Sequence, residues 1–139
     1  MTATVEGLVL VVEDSEEDIE AMARALGRSH PLVRLEFADR PEDVPDRLVD
    51  PAAERPLLVL LDLNLPGYNG HQLLGALRGR PELAGLPVVV FTSSTSPAEV
   101  EACYAAGADS YIFKPLNFEL FRTVLGSTID FWLGSDRPA

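Results

Sequence analysis

Five polar residues follow short apolar runs in the sequence. Each is the first or the second residue after such a run. They are Glu13, Asp14, Asp62, Thr92 and Lys114. Three carboxylates held close together repel one another, and without compensation one or more of their pKa values would rise. They need a cation, and oxygen ligands in a small open cluster suit a hard ion such as Mg²⁺ or Mn²⁺. The pattern predicts a metal-dependent site in which Lys114 supplies a second, mobile positive charge near Asp62.

Lys114 is also an exception in the composition. The chain has eleven cationic residues, and every one except Lys114 is arginine. An ammonium is compact and mobile, whereas a guanidinium is planar and rigid. The single lysine is either the result of sequence drift or a requirement of the site.

The composition excludes several classes of protein. With 139 residues, 47% of them apolar, the chain has room for one globular domain. A net charge of −11 repels nucleic acid. The longest apolar runs are far shorter than the roughly 20 residues that cross a bilayer. The single cysteine, Cys103, cannot form an internal disulfide, so we expect a cytoplasmic protein.

The elements that must position the five residues alternate along the chain. Five continuous apolar runs are typical of strands covered on both faces: Leu8–Val12, Leu32–Ala38, Leu57–Leu61, Val88–Phe91 and Tyr111–Phe113. Five segments have helical spacing: Glu16–Leu26, Pro41–Leu48, Gly70–Leu77, Pro97–Ala106 and Asn117–Leu133. Helix-capping residues occur at Ser15, Ser96 and Asn117.

This alternation predicts an α/β fold of the doubly wound class. Strands linked by helices form a parallel sheet through right-handed crossovers, with helices on both faces. Ligands bind beyond the carboxyl ends of the strands in such folds. The five polar residues therefore meet at one edge of the sheet.

These residues resemble those of the receiver domain of bacterial two-component response regulators. The likeness rests on Glu13-Asp14, on Leu61-Asp62-Leu63-Asn64-Leu65-Pro66 with Gly70, on Thr92-Ser93 and on Lys114-Pro115. It implies a flavodoxin-like receiver fold over residues 8–133, with a five-stranded sheet in the order 2-1-3-4-5 and five flanking helices. Residues 134–139 would form a short tail without an output domain.

The resemblance also implies a role for each matching residue. Asp62 would accept a phosphoryl group from a sensor histidine kinase or a phosphotransfer protein. Asp14, Asp62 and the backbone carbonyl of Asn64 would bind the metal, and Glu13 would bind it directly or through water. Lys114 and Thr92 would contact phosphoryl oxygens. The protein would then be a phosphoacceptor that assists its own phosphorylation and dephosphorylation, and not an enzyme with a separate substrate.

Further positions match family sites that control signalling. Thr92 and Tyr111 would move together on phosphorylation, and Asn64 and Ser94 would flank the water that hydrolyses the acyl phosphate. The bond between Lys114 and Pro115 would be cis.

The last helix carries two apolar stripes. We expect Phe118, Phe121, Leu125, Ile129 and Trp132 to form the core stripe and Leu120, Val124 and Phe131 to form a second. Phe131 and Trp132 cannot both face the same core, so Leu120, Val124, Phe131 and Trp132 form a candidate interface.

The ending Ile129–Leu133 resembles that of the small stand-alone regulators associated with phytochrome-type histidine kinases. That likeness implies a phytochrome-type kinase partner and a homodimer through the side of the fourth and fifth helices. The signal would leave by contact with a downstream protein or by phosphorelay, without nucleic acid or membrane insertion.

Three other functions compete with this interpretation. A flavodoxin-like electron carrier needs a phosphate loop after the first strand, where Glu13 and Asp14 would repel phosphate. An aspartate-nucleophile phosphohydrolase has a second aspartate two positions after the first, where this chain has Asn64. A degenerate receiver that acts as a phosphorylation-independent docking module remains the alternative. His30 and His71 have no evident partner in the sequence, and they are expected as loop and helix-surface residues without a catalytic role.

Overall fold

The computed structural model describes residues 5–63, 65, 67–94 and 96–134. Asn64 lies outside these residues, as does the predicted tail from residue 135 onward. The described residues form five strands and five α-helices, and these adopt the predicted fold.

The five strands form one parallel sheet in the order β2-β1-β3-β4-β5, which confirms the expected topology. They are β1 (Gly7–Val12), β2 (Val33–Ala38), β3 (Leu58–Leu61), β4 (Val88–Thr92) and β5 (Ser110–Phe113). Every residue of β3 and β4 is buried. Continuous apolar runs fit these strands because helices cover the central sheet on both faces.

Five α-helices connect the strands. They are α1 (Glu16–Gly27), α2 (Val44–Val49), α3 (Gly70–Arg78), α4 (Pro97–Ala105) and α5 (Phe118–Leu133). The second helix differs from its predicted form, because Pro41–Asp43 is a separate 3-10 turn. Pro45 explains the break: it lacks the N–H that a continuous α-helix would direct at the carbonyl of Pro41.

Side-chain caps fix where three helices begin, as the sequence predicts. The Asp18 N–H donates to the Ser15 hydroxyl oxygen over 3.3 Å, and the Leu120 N–H donates to the Asn117 side chain over 3.0 Å. Ser96 caps α4 in the same way. Each cap satisfies a backbone donor that the first turn leaves unpaired.

The core has two layers, one on each face of the sheet. Alternate strand residues such as Leu10 and Val59 pack with α2, α3 and α4. The residues between them, such as Val9 and Phe91, pack with α1 and α5. The two layers hold the strand ends, and with them the polar residues, in fixed relation.

Two expectations are wrong. The bond between Lys114 and Pro115 is trans, the isomer that proline bonds favour by about 0.5–1 kcal/mol. His30 lies in a loop, as expected, but it is buried and has two side-chain partners: its Nε2 lies 2.8 Å from Oδ1 of Asp130, and its Nδ1 lies 2.7 Å from Oγ of Ser29. This contact ties the end of α1 to α5.

No helix in the described part of the chain is long and apolar enough to cross a membrane.

The apolar side chains of α5 divide between core and surface. Phe121, Leu125 and Ile129 are buried in the α1/α5 layer. Leu120 is 54% exposed and Phe131 is 42% exposed. Trp132 is half-buried, packs against the same layer and meets the Phe131 ring edge-on at 4.9 Å between centroids.

This division predicts different costs for two similar truncations on α5. Ile129→Ala removes a fully buried side chain and should lower the free energy of unfolding by about 2–5 kcal/mol. Leu120→Ala, a matched control at an exposed site, should change it by less than about 0.5 kcal/mol. Urea unfolding measures both, and equal losses would contradict the assignment of the stripes.

Candidate functional site

The pairing of β1 with β3 places Glu13 and Asp62 next to each other. Val12 and Leu61, the last residues of these strands, are register partners, and the acidic residues follow them directly. The Asp62 N–H donates to the Val12 carbonyl over 3.2 Å, which extends the pairing by one residue. Both carboxylates are thus fixed at the carboxyl edge of the sheet.

The pairing of β4 with β5 brings Lys114 to the same edge. Thr92 and Phe113 are register partners, and the Lys114 N–H donates to the Thr92 carbonyl over 2.7 Å. Lys114 is 7% exposed and Thr92 is fully buried. The lysine backbone is therefore held by β4 while its side chain reaches toward β1 and β3.

The ammonium of Lys114 donates to three carboxylates. Its Nζ lies 2.8 Å from Oδ2 of Asp18, 3.1 Å from Oε2 of Glu13 and 3.2 Å from Oδ2 of Asp62. Glu13 and Asp62 are buried, whereas the Asp18 side chain is 34% exposed. One ammonium thus joins β1, α1, β3 and β5.

Glu13 accepts hydrogen bonds with both carboxylate oxygens. Its Oε1 accepts from the backbone N–H groups of Asp14 and Ser15, each over 3.1 Å, while Oε2 faces Lys114. Burial and a hydrogen bond with Asp62 nevertheless raise the pKa of Glu13 to about 7, against the opposing pull of Lys114. Burial is the largest cause of this shift, and repulsion by the Asp62 carboxylate adds to it.

The charges around Lys114 do not balance. Burial lowers the pKa of Lys114, but the hydrogen bond to Asp18 and the charges of Asp62 and Glu13 raise it further, so the net shift is upward. The ammonium therefore stays charged. It faces three carboxylates, and like charges 4 Å apart repel by about 4 kcal/mol at a dielectric constant typical of protein surfaces.

The donor set fits a hard divalent cation. Carboxylate oxygens of Glu13, Asp18 and Asp62 all lie within 4.8 Å of one another. They line an open cavity of about 590 Å³, to which Lys114 and Ser93 also contribute. Oxygen-only ligands with space for water are the environment that Mg²⁺ and Mn²⁺ prefer.

The structure does not bring every predicted metal ligand together. Asp14 lines the same cavity but is exposed and is not a member of the three-carboxylate cluster. Its N–H donates to Oε1 of Glu13 at the turn into α1, while its side chain faces solvent. The predicted roles of Asn64 concern a residue outside those that the structure describes.

Asp18, to which the sequence analysis gave no role, joins Glu13 and Asp62 in the cluster. It belongs to the first turn of α1, where acidic side chains usually face solvent. A signal for it exists in the sequence, because Asp18 lies four residues before Met22 and seven before Ala25, both buried. That spacing places Asp18 on the helix stripe that faces the sheet.

The loop after β4 connects the site to two neighbouring elements. The Tyr111 hydroxyl on β5 donates to the Ser94 carbonyl over 2.5 Å, and the Ser94 hydroxyl donates to Glu99 on α4 over 2.5 Å. The Ser94 N–H lies 3.4 Å from the Thr92 hydroxyl oxygen. Thr92, Tyr111 and α4 thus share Ser94 as a common contact.

Comparison with known proteins gives consistent matches over nearly the whole chain. The sequence profile of the response regulator receiver domain matches residues 9–125. The response regulator Rcp1 of Synechocystis sp. is 33% identical over 137 residues, an alignment that covers 91% of this chain and 88% of Rcp1.

Two solved structures have the same fold. The Mn²⁺-bound form of Rcp1 superposes with a TM-score of 0.82 at 30% identity, covering 96% of this chain and 99% of that one. The phosphorylated cyanobacterial phytochrome response regulator RcpA superposes with a TM-score of 0.83 at 28% identity, covering 92% and 94%.

The charge imbalance predicts that removing one carboxylate stabilises the metal-free protein. Asp62→Asn should raise the free energy of unfolding by about 1 kcal/mol, the size typical of coupled charged groups, because it removes the repulsion between Asp62 and Glu13. Glu101→Gln, which removes an exposed charge from α4, should leave it nearly unchanged.

With Mg²⁺ bound, the wild type should become more stable than Asp62→Asn. It should stabilise the wild type in proportion to the logarithm of its concentration above the dissociation constant, and stabilise Asp62→Asn much less. Thermal unfolding with and without Mg²⁺ measures both effects. A less stable Asp62→Asn variant in chelator, together with no response of the wild type to Mg²⁺, would contradict the interpretation of the cluster.

Proposed function

The chain belongs to the response regulator receiver family, and from that premise we propose that it accepts a phosphoryl group on Asp62 from a sensor histidine kinase. The observation that carries this proposal is the contact between the buried Asp62 carboxylate and the Lys114 ammonium, at the edge of an open acidic cavity. The alternative is a phosphorylation-independent docking module.

The proposed step is a displacement at phosphorus. An oxygen of the Asp62 carboxylate forms the new bond to phosphorus, the bond to the kinase histidine nitrogen breaks, and its electron pair returns to the imidazole. Such a transfer depends on positioning and on neutralising the phosphoryl oxygens more than on further covalent chemistry. Asp62 suits this role because the sheet fixes its backbone beside Val12.

The surrounding residues neutralise and orient the group. Mg²⁺ or Mn²⁺, when bound by Asp62 with Glu13 and the neighbouring acidic residues, supplies positive charge to the phosphoryl oxygens. The proposed ligands include Asp14 and the carbonyl of Asn64. Lys114 pairs with one phosphoryl oxygen and the Thr92 hydroxyl donates to another. Ser94, with Asn64, is proposed to affect the lifetime of the acyl phosphate.

We further propose that Ser94 carries the signal from Thr92 to the surface. When Thr92 moves toward the phosphoryl group, the loop that follows it moves as well. The Ser94 carbonyl and hydroxyl connect that loop to Tyr111 and to Glu99. Tyr111 packs against the layer formed by α2, α3 and α4, so its position affects that side of the molecule. The phosphoryl group then shifts the population between two arrangements of this side.

The proposed partners follow from the relatives and from exposed apolar residues. RcpA is a phytochrome response regulator, and we propose a phytochrome-type kinase for this chain as well. A homodimer through α4, β5 and α5 would cover large apolar side chains that are 42–54% exposed: Tyr104, Phe113, Leu120 and Phe131. Val124 and Trp132 lie beside them, half-buried. The signal would leave by contact with a further protein or by phosphorelay.

Phosphorylation can be tested directly. Incubation with Mg²⁺ and acetyl phosphate should add the mass of one phosphoryl group, as an acid-stable and base-labile adduct, to the wild type and to the control Asp39→Asn. Asp62→Asn should gain none, because it lacks the accepting carboxylate. Intact-mass spectrometry measures the adduct. A folded wild type that gains no adduct would favour the docking module instead.

The role of Tyr111 can be tested separately from phosphorylation. Tyr111→Phe keeps the packing of the ring but removes the hydrogen bond to Ser94, a contact worth about 0.5–1.5 kcal/mol. The variant should form the adduct normally. Loss of this contact should change the equilibrium constant between the two arrangements by roughly two- to tenfold. The change in hydrogen exchange that phosphorylation causes in α4 should therefore be smaller than in the wild type. The same response in Tyr111→Phe as in the wild type would exclude this hydroxyl from the switch.

A further inference from the structure

We propose that Asp18 is a positioning residue for Lys114, which holds the ammonium between α1 and the phosphoacceptor and so keeps Asp62 available for the metal and for the phosphoryl group. This inference rests on the proposed function, since it concerns the same reaction at Asp62.

The distances make Asp18 the nearest partner of the ammonium. Lys114 Nζ lies 2.8 Å from Asp18, compared with 3.1 Å from Glu13 and 3.2 Å from Asp62. Charge-assisted N–H···O bonds are normally about 2.7–2.9 Å long. The contact with Asp18 has the length of a strong hydrogen bond, whereas the contact with the phosphoacceptor is longer.

The backbone of α1 holds Asp18 in a defined place. The Asp18 N–H donates to the hydroxyl of the capping residue Ser15, and the next N–H, of Ile19, donates to the Ser15 carbonyl over 2.9 Å. Farther along, Met22 and Ala25 are buried against the sheet. The carboxylate therefore approaches Lys114 from a fixed helix and not from a loop.

Solvent exposure distinguishes Asp18 from the other two partners. Its side chain is 34% exposed, while those of Glu13 and Asp62 are 1% and 10% exposed. A partly hydrated carboxylate costs less to keep ionised than a buried one. Asp18 can thus hold the ammonium without adding another desolvated charge to the interior.

The other acidic residues in the first turn of α1 do not duplicate this contact. Glu16 and Glu17 are exposed, and among the described residues the ion pairs of Lys114 are those with Glu13, Asp18 and Asp62. Loss of the Asp18 charge would leave the ammonium with two buried partners. Lys114 would then move closer to Asp62, neutralise the attacking oxygen and compete with the divalent cation.

The test is a double-mutant cycle on the rate of phosphorylation by acetyl phosphate. Asp18→Asn, which preserves shape and removes the charge, should lower the rate roughly tenfold, the size expected for residues coupled in one ion-pair network. It should also raise the Mg²⁺ concentration needed for half the maximal rate. Glu20→Gln, an exposed change on the same helix, is the matched control and should have no effect on either quantity.

A second measurement of Asp18→Asn, in a protein that also carries Lys114→Met, shows whether Asp18 acts by positioning the ammonium or has only a structural role. If Asp18 acts through the ammonium, Asp18→Asn should cause little further loss in that background. An equal loss with and without Lys114, or no loss at all in a folded Asp18→Asn variant, would overturn the inference. Both outcomes differ from failure of the proposed function, in which the wild type itself forms no adduct on Asp62.

Discussion

The ammonium of Lys114 is the point at which the elements of the site meet. It binds one carboxylate from the end of β1, one from the end of β3 and one from α1, while its own backbone is paired with β4. A single positive charge does not balance three carboxyl groups at these distances, although burial raises the pKa of Glu13 to about 7 and so reduces its share of the negative charge near neutral pH. Lys114 therefore links the elements of the site, and the negative charge that it leaves unbalanced favours the binding of a divalent cation.

The apolar core makes this imbalance tolerable. The central strands are buried on both faces, and the layers formed by α2, α3 and α4 and by α1 and α5 fix the strand ends from both sides. The rigidity of the sheet allows like charges to stay close, where a flexible loop would let them separate.

Much of the site could be predicted from the sequence, because strand ends in parallel sheets converge. Glu13, Asp62, Thr92 and Lys114 all lie at the expected edge. Asp18 was missed because a first-turn acid normally faces solvent, and its sheet-facing stripe becomes clear only beside Met22. The contact between His30 and Asp130 joins residues 100 positions apart and depends on how α5 packs on α1. No local pattern encodes such a pairing.

The central claim is that one buried ammonium is shared among three carboxylates, and the single lysine of this chain makes it directly measurable. A sample labelled with ¹⁵N-lysine carries one side-chain ammonium, whose protons can be followed by ¹H–¹⁵N NMR in metal-free buffer. We expect a resolved signal with slow hydrogen exchange at neutral pH, which shifts when Mg²⁺ and beryllofluoride, a phosphoryl mimic, are added. Exchange as fast as in the urea-unfolded chain, with no shift on addition, would contradict the account.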